Sequence, residues 1–174
     1  MKLLIKGAIR KSFRLTPQYK NIMKLARREL GFQLKKDGTV GKKINVKYEC
    51  ASCKQLFPQK WVQVDHINPS VPLDTKELDM SYDELARGIC CDESNLQVLC
   101  SVPLDKNENI PSCHRYKSNT ERYIRDRIKE MKEAGTFTEL SDELLENLTL
   151  DYKKYLIDKE LEKLEKSNKK KVKK

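Results

Sequence analysis

The sequence predicts an α+β fold in which a small β-rich centre lies between basic helical arms. Apolar residues alternate along residues 46–67, as in half-buried strands. In the flanking segments apolar residues recur at helical spacing. Only 38% of the 174 residues are hydrophobic and 36% are charged, so we expect a small hydrophobic core. Such a core needs a stabilising cross-link, and a structural metal ion is the obvious candidate.

Residues 1–45 predict a basic N-terminal arm containing a helix. Residues 1–49 hold 14 Lys and Arg against 3 Asp and Glu, within a chain of net charge +10. Thr16 and Pro17 are typical of a helix start, and Gly31 of its end. Residues 35–47 carry five lysines and two glycines, which predict a flexible basic loop. The cations of this arm are expected to contact nucleic-acid phosphates: Lys20, Lys24, Arg27, Arg28, Lys42 and Lys43.

Residues 46–130 form the predicted centre. Two short strands flank the turn that holds Cys50 and Cys53, and another strand is expected over Asn95–Leu99. The acidic stretch 71–93 contains a capping-box pattern that opens a short helix at Ser81. A longer helix is expected from near Cys113 to about residue 129.

The C-terminal part, residues 131–166, predicts a helical extension after Gly135. It has helical stretches starting at Ser141 and at Asp151, and residues 167–174 are predicted to be a disordered lysine-rich tail. The sequence has no long apolar run, so we expect neither a membrane span nor a signal peptide. The six cysteines are then expected to be thiols in a reducing compartment, the cytoplasm.

The cysteine spacing predicts a structural zinc site. Cys50 and Cys53 have the turn spacing that directs two sulfurs at one ion. The most economical second pair is Cys100 and Cys113, although twelve residues separate them. Cys90, adjacent to Cys91, is a competing source of a ligand.

The two histidines of the chain, His66 and His114, both lie in settings suited to phosphodiester cleavage. A neutral imidazole can activate water at cellular pH. His114 directly follows a predicted zinc ligand, and Lys117 lies one helical turn later on the same face. A lone histidine is most often structural, but two in mutually consistent settings favour a functional role.

These motifs together resemble the HNH endonucleases of the ββα-metal class, in the zinc-stapled variant common among phage and mobile-element nucleases. In chain order they read C-x-x-C, D-H-x-x-P, N-L-Q-x-L-C and C-H-x-x-K, and the resemblance covers about residues 46–120. It implies two antiparallel strands and a helix around a catalytic metal ion, with the zinc knuckle beneath. The long loop 101–112 and the acidic insertion 71–93 depart from the family pattern.

The resemblance implies a role for each motif residue in cutting DNA. His66 would be the general base, and Asp65 and His114 would hold one divalent ion such as Mg²⁺. Asn95 would brace the loop that orients His66, Lys117 would neutralise phosphate charge, and Arg115 is expected to contact nucleic acid. No organic cofactor is expected, and the setting would be a bacterial or phage-infected cytoplasm. The alternative is an inactive zinc-stapled nucleic-acid-binding or packaging accessory protein.

Overall fold

Two small antiparallel sheets and five α-helices make up the part of the chain that the computed structural model describes, residues 2–105 and 110–172. The predicted α+β class is therefore confirmed. The chain divides into two compact units, Met1–Lys117 and Ser118–Lys174. The first unit contains both sheets and every candidate site residue.

The N-terminal arm contains two helices, α1 (Lys2–Phe13) and α2 (Pro17–Ala26). The side chain of Thr16 caps α2 by accepting a hydrogen bond from the Tyr19 N–H. The expectation that this helix reaches Gly31 is wrong, because α2 ends at Ala26 and strand β1 (Arg27–Leu34) begins at the next residue. Pairing with a neighbouring strand outweighs the local helical pattern here.

The segment expected to be a flexible basic loop is largely strand β2 (Val40–Glu49), which pairs antiparallel with β1. The turn between them uses Gly38 at a φ of 82°, which glycine adopts without steric strain. Thr39 donates to the Asp37 carboxylate from its hydroxyl and its N–H, and these bonds lower the pKa of Asp37. The hairpin places Lys42 and Lys43 on an exposed strand.

The central strands surround a small apolar core. Strand β3 (Leu56–Phe57) extends the first sheet by pairing with the end of β2. Strands β4 (Val62–His66) and β5 (Leu96–Cys100) form the second sheet, in which His66 lies opposite Leu96. One cluster of buried residues joins the two sheets: Cys50, Phe57, Val62, Val98, Leu99 and Cys100.

The acidic segment 71–93 folds onto the end of β4 through helix α3 (Tyr82–Ile89). The capping box at Ser81 is present, with reciprocal hydrogen bonds between Ser81 and Glu84. Helix α3 buries Leu85 and Ile89 in a second apolar cluster that also contains Phe13. Backbone approach is close at Gly88, where a β-carbon would collide with the Ser70 carbonyl. The segment is therefore packed against the strand end.

Two long helices follow, α4 (Cys113–Glu133) and α5 (Asp142–Val172). Gly135, at a φ of 71°, lies between them, and the Ser141 hydroxyl caps the start of α5. Helix α5 is continuous where two helical stretches were expected, and it includes residues 167–172, for which composition predicts disorder. Lys173 and Lys174 lie outside the described residues. Among the described residues, no helix is both long enough and apolar enough to cross a bilayer.

Candidate metal centre and active site

Four cysteines meet at the junction of the two sheets and α4. The Sγ atoms of Cys50, Cys53, Cys100 and Cys113 all lie within 4.8 Å of one another. A tetrahedral zinc–thiolate site, with bonds of about 2.3 Å, places its sulfurs about 3.8 Å apart, so this cluster can hold a metal ion such as zinc. The four cysteines of this cluster are the ones predicted from the sequence as zinc ligands, and Cys90 is exposed outside the cluster.

Three separate elements position these sulfurs. Cys50 directly follows β2, and the turn after it closes through a hydrogen bond from the Lys54 N–H to the Cys50 carbonyl. Lys54 has a φ of 60°, which permits the tight return toward β3. Cys100 ends β5 and Cys113 begins α4. A metal ion at this point would therefore link β2, β5 and α4.

The long loop between Cys100 and Cys113 does not prevent the cluster from forming. Within this loop, Asp105 and Ile110 form an isolated antiparallel bridge, and the Leu104 N–H donates to the Ile110 carbonyl. The buried Ser112 hydroxyl then accepts a hydrogen bond from the Arg115 N–H at the start of α4. The loop is thus closed by these contacts, and Cys113, which follows it, lies beside the other three cysteines.

Backbone hydrogen bonds and burial act in opposite directions on the thiols. Burial raises the pKa of Cys50, but N–H groups of Cys53, Cys100 and Ser52 outweigh it and hold that pKa at about 7. Burial raises the pKa of Cys53 to about 11 and also raises the pKa of Cys100. Close thiolates repel one another, so a divalent cation would be needed to stabilise the fully deprotonated set.

Asp65 on β4 lies against the first turns of α4. Its carboxylate is 3.2 Å from the Lys117 ammonium, and each side chain is 21% exposed. His114 is one helical turn before Lys117 and is half-buried. The structure therefore brings Asp65 to the helix face that carries Lys117 and His114.

His66, at the end of β4, is held from the opposite direction. Its Nε2 is 3.0 Å from the Ile89 carbonyl at the end of α3. Its ring also stacks on Phe13 at a centroid distance of 6.0 Å. A carbonyl only accepts, so Nε2 must donate, and in the neutral imidazole Nδ1 is then the proton acceptor. The sequence indicated the helix α3 but not that its last carbonyl would reach His66.

Asn95 braces the loop that follows His66. Its Oδ1 accepts from the Asn68 N–H at 2.7 Å, and its Nδ2 donates to the Asn68 carbonyl at 3.1 Å. The Ile67 N–H also donates to the Asn95 carbonyl at 2.8 Å. The Asn95 side chain thus engages both main-chain polar groups of Asn68, the N–H and the carbonyl, and holds this part of the loop.

Among the side chains that the structure describes, within residues 4–105 and 110–163, the four cysteines are the single group of three or more that could hold a metal ion. Asp65 and His114 therefore do not gather with a third protein ligand there. Successive residues of a strand point to opposite faces, which explains why Asp65 contacts α4 while His66 contacts α3.

The predicted nucleic-acid-binding residues differ in their surroundings. Lys20 and Lys24 are exposed on α2, and Arg115 is exposed in the first turn of α4. Arg27 and Arg28, expected on the helix, lie on β1 instead, where Arg27 pairs with Glu29. Arg28 pairs with Glu49 at 2.8 Å and donates to the Leu25 carbonyl. Arg27 and Arg28 thus form ion pairs within the protein, whereas Lys20 and Lys24 are exposed on α2.

Comparisons with known proteins give no match to a family model, to a curated protein or to a solved structure.

Proposed function

We propose that this chain is a metal-dependent endonuclease of the HNH type that hydrolyses phosphodiester bonds of DNA. The observation that carries the proposal is the contact between Asp65 and Lys117. It joins the end of the β4–β5 pair to the start of α4, in the order strand, strand, helix that the sequence motifs imply. The adjacent cysteine cluster supports the same arrangement, because Cys100 and Cys113 end β5 and begin α4.

In this proposal His66 is the general base. With Nε2 donating to Ile89, Nδ1 accepts the proton of a water molecule whose oxygen then bonds to phosphorus. The bond from phosphorus to the leaving oxygen breaks, and that oxygen takes up a proton. Phe13 and Asn95 act as positioning residues, since one stacks on the imidazole ring and the other holds the loop after it.

Asp65 and His114 are the proposed holders of a divalent ion such as Mg²⁺. A carboxylate oxygen and an imidazole nitrogen fit such an ion when water and phosphate oxygens complete its shell. The bound ion would supply Lewis-acid stabilisation of charge on the scissile phosphate. Lys117 occupies one side of Asp65. We therefore expect Lys117 to turn toward substrate phosphate when the carboxylate takes an ion.

The same ion pair also favours the alternative function, a zinc-stapled nucleic-acid-binding protein without activity. Lys117 already balances the charge of Asp65, so the fold does not need a catalytic ion for that purpose. In that case the basic N-terminal arm would bind nucleic acid, and Asp65 and Lys117 would only join β4 to α4.

A plasmid cleavage assay separates the two functions. Supercoiled DNA is incubated with protein and Mg²⁺, or without added divalent ion, and nicked and linear products are measured. We expect Mg²⁺-dependent cleavage that His66→Ala lowers by roughly 100- to 10,000-fold, the range for loss of a general base. Gln63→Ala, on an exposed position of the same strand, is the matched control and should cleave normally.

The absence of any cleavage by wild-type protein, with DNA binding retained, would support the accessory function instead. Normal cleavage by His66→Ala would show that another group activates water. The variant should still bind DNA. The variant loses the hydrogen bond to the Ile89 carbonyl and the stacking on Phe13, which together lower stability by about 2 kcal/mol.

A further inference from the structure

A basic pocket opens on the surface formed by α2, β1 and β2, in the first unit of the chain. Its volume is about 370 Å³, within the range of ligand-binding clefts. The lining combines four cations with tyrosine, glutamine and methionine side chains: Arg14, Tyr19, Lys20, Met23, Lys24, Arg27, Tyr48 and Gln59.

The charge of this pocket is unbalanced. Four of its eight lining residues are cationic and none is acidic. Arg27 pairs with Glu29, but within the described chain no carboxylate lies at ion-pair distance from Arg14, Lys20 or Lys24. Other surface cations do have such partners, as Arg87 has in Asp83. A concave surface lined by one sign of charge concentrates counter-ions, so an anionic ligand would relieve the repulsion.

The walls of the pocket belong to ordered elements. Lys20 and Lys24 lie one turn apart on α2, so their ammonium groups share one face. Tyr48 is half-buried on β2 and packs against the core next to the metal centre, two residues before Cys50. Tyrosine and glutamine add neutral donors to the cations. This mixture suits the several oxygens of a phosphodiester better than a single carboxylate.

We propose that this pocket binds a backbone phosphate of a nucleic-acid strand through residues other than those of the candidate active site. The inference rests on the proposed function for the identity of the polyanion. It predicts that Lys20 and Lys24 contribute to affinity through one localised contact, whereas the cleavage step depends on His66 and its neighbours.

The test is binding of a labelled duplex oligonucleotide by fluorescence anisotropy across a salt series. It is carried out without added Mg²⁺ on the His66→Ala background, so that cleavage cannot contribute and the cysteine cluster keeps its metal ion. Lys20→Gln/Lys24→Gln should weaken binding and reduce the slope of log affinity against log salt by about one to two. Lys20→Arg/Lys24→Arg should keep the slope. Lys153→Gln/Lys154→Gln removes the same charge from exposed positions of α5 and should leave the slope unchanged.

Equal losses in the two Gln double variants would overturn the proposal, because they would mean that total charge and not the pocket sets affinity. A pocket variant that loses binding to polyglutamate but keeps oligonucleotide binding would overturn it in favour of an acidic protein ligand. The cleavage assay is scored separately. A reduced salt slope in Lys20→Gln/Lys24→Gln, together with no cleavage by the wild-type protein, would support this inference and refute the nuclease. An unchanged slope together with Mg²⁺-dependent cleavage would refute this inference and support the nuclease.

Discussion

Replacing Asn95 by alanine should loosen the loop after His66 and slow cleavage without unfolding the protein. The Asn95 side chain makes two hydrogen bonds to the main chain of Asn68, at 2.7 and 3.1 Å, and it also hydrogen-bonds to the Cys91 thiol. Its own backbone bond, from the Ile67 N–H to its carbonyl, stays in the variant. The substitution therefore removes the side-chain brace on Asn68 and keeps this backbone bond.

The size of the effect follows from those two bonds. A hydrogen bond in a protein contributes about 1 kcal/mol net, so the brace is worth about 2 kcal/mol. If this free energy serves to hold His66 in its reactive position, its loss slows cleavage by about 30-fold, since about 1.4 kcal/mol corresponds to a factor of ten. The expected loss is smaller than that for His66→Ala.

Asn68→Ala is the matched control. Both bonds from the Asn95 side chain go to the main-chain N–H and carbonyl of Asn68, so this variant keeps them. Single-turnover cleavage rates of both variants are measured against wild type. Amide hydrogen exchange at residue 68 gives a second readout that does not depend on activity. It should accelerate in Asn95→Ala and remain slow in Asn68→Ala.

Two results would refute this reasoning. If exchange at residue 68 is unchanged in Asn95→Ala, the brace does not hold the loop. If exchange accelerates but the cleavage rate stays at the wild-type value, the loop does not position the base.

Three further predictions concern the metal centre and the tail. Purified protein should contain about one zinc per chain by elemental analysis, and Cys53→Ser should lose both the zinc and the folded centre. Zinc affinity should rise with pH below about 11, because Cys53 and Cys100, whose pKa values are raised, must release protons to bind; a flat profile by competition titration would contradict this. Deleting residues 169–174 should weaken DNA binding and flatten its salt dependence, and an unchanged cleavage rate at saturating DNA would show that the tail affects affinity alone.

The cysteine cluster could be predicted from sequence because two cysteines separated by two residues are typical of zinc ligands. Cys50 and Cys53 specify half of a tetrahedral site, and few partners remain for the other half. The capping box at Ser81 was predictable for a similar reason, since both of its hydrogen bonds join residues three positions apart.

The failures lie where distant contacts decide the structure. The helix from Pro17 was predicted to continue past Ala26, but β1 forms because β2 pairs with it. Alternating apolar residues on both sides of the Asp37–Gly38 turn were a hairpin signal, and the nearby lysines suggested a loop instead. The contact of His66 with Ile89 joins residues 23 positions apart, and no short motif encodes it.

If His66 is the general base, that contact makes its reactivity depend on how firmly the last turn of α3 is closed. Helix ends open and close far more often than whole domains unfold. Whenever the Ile89 carbonyl withdraws, Nε2 loses the acceptor that holds its proton, and either ring nitrogen can then carry it. The collision that any β-carbon at Gly88 would make with Ser70 lies one residue before this carbonyl. Small changes in a segment that supplies no side chain to the proposed chemistry would thus alter the fraction of molecules ready to accept a proton from water.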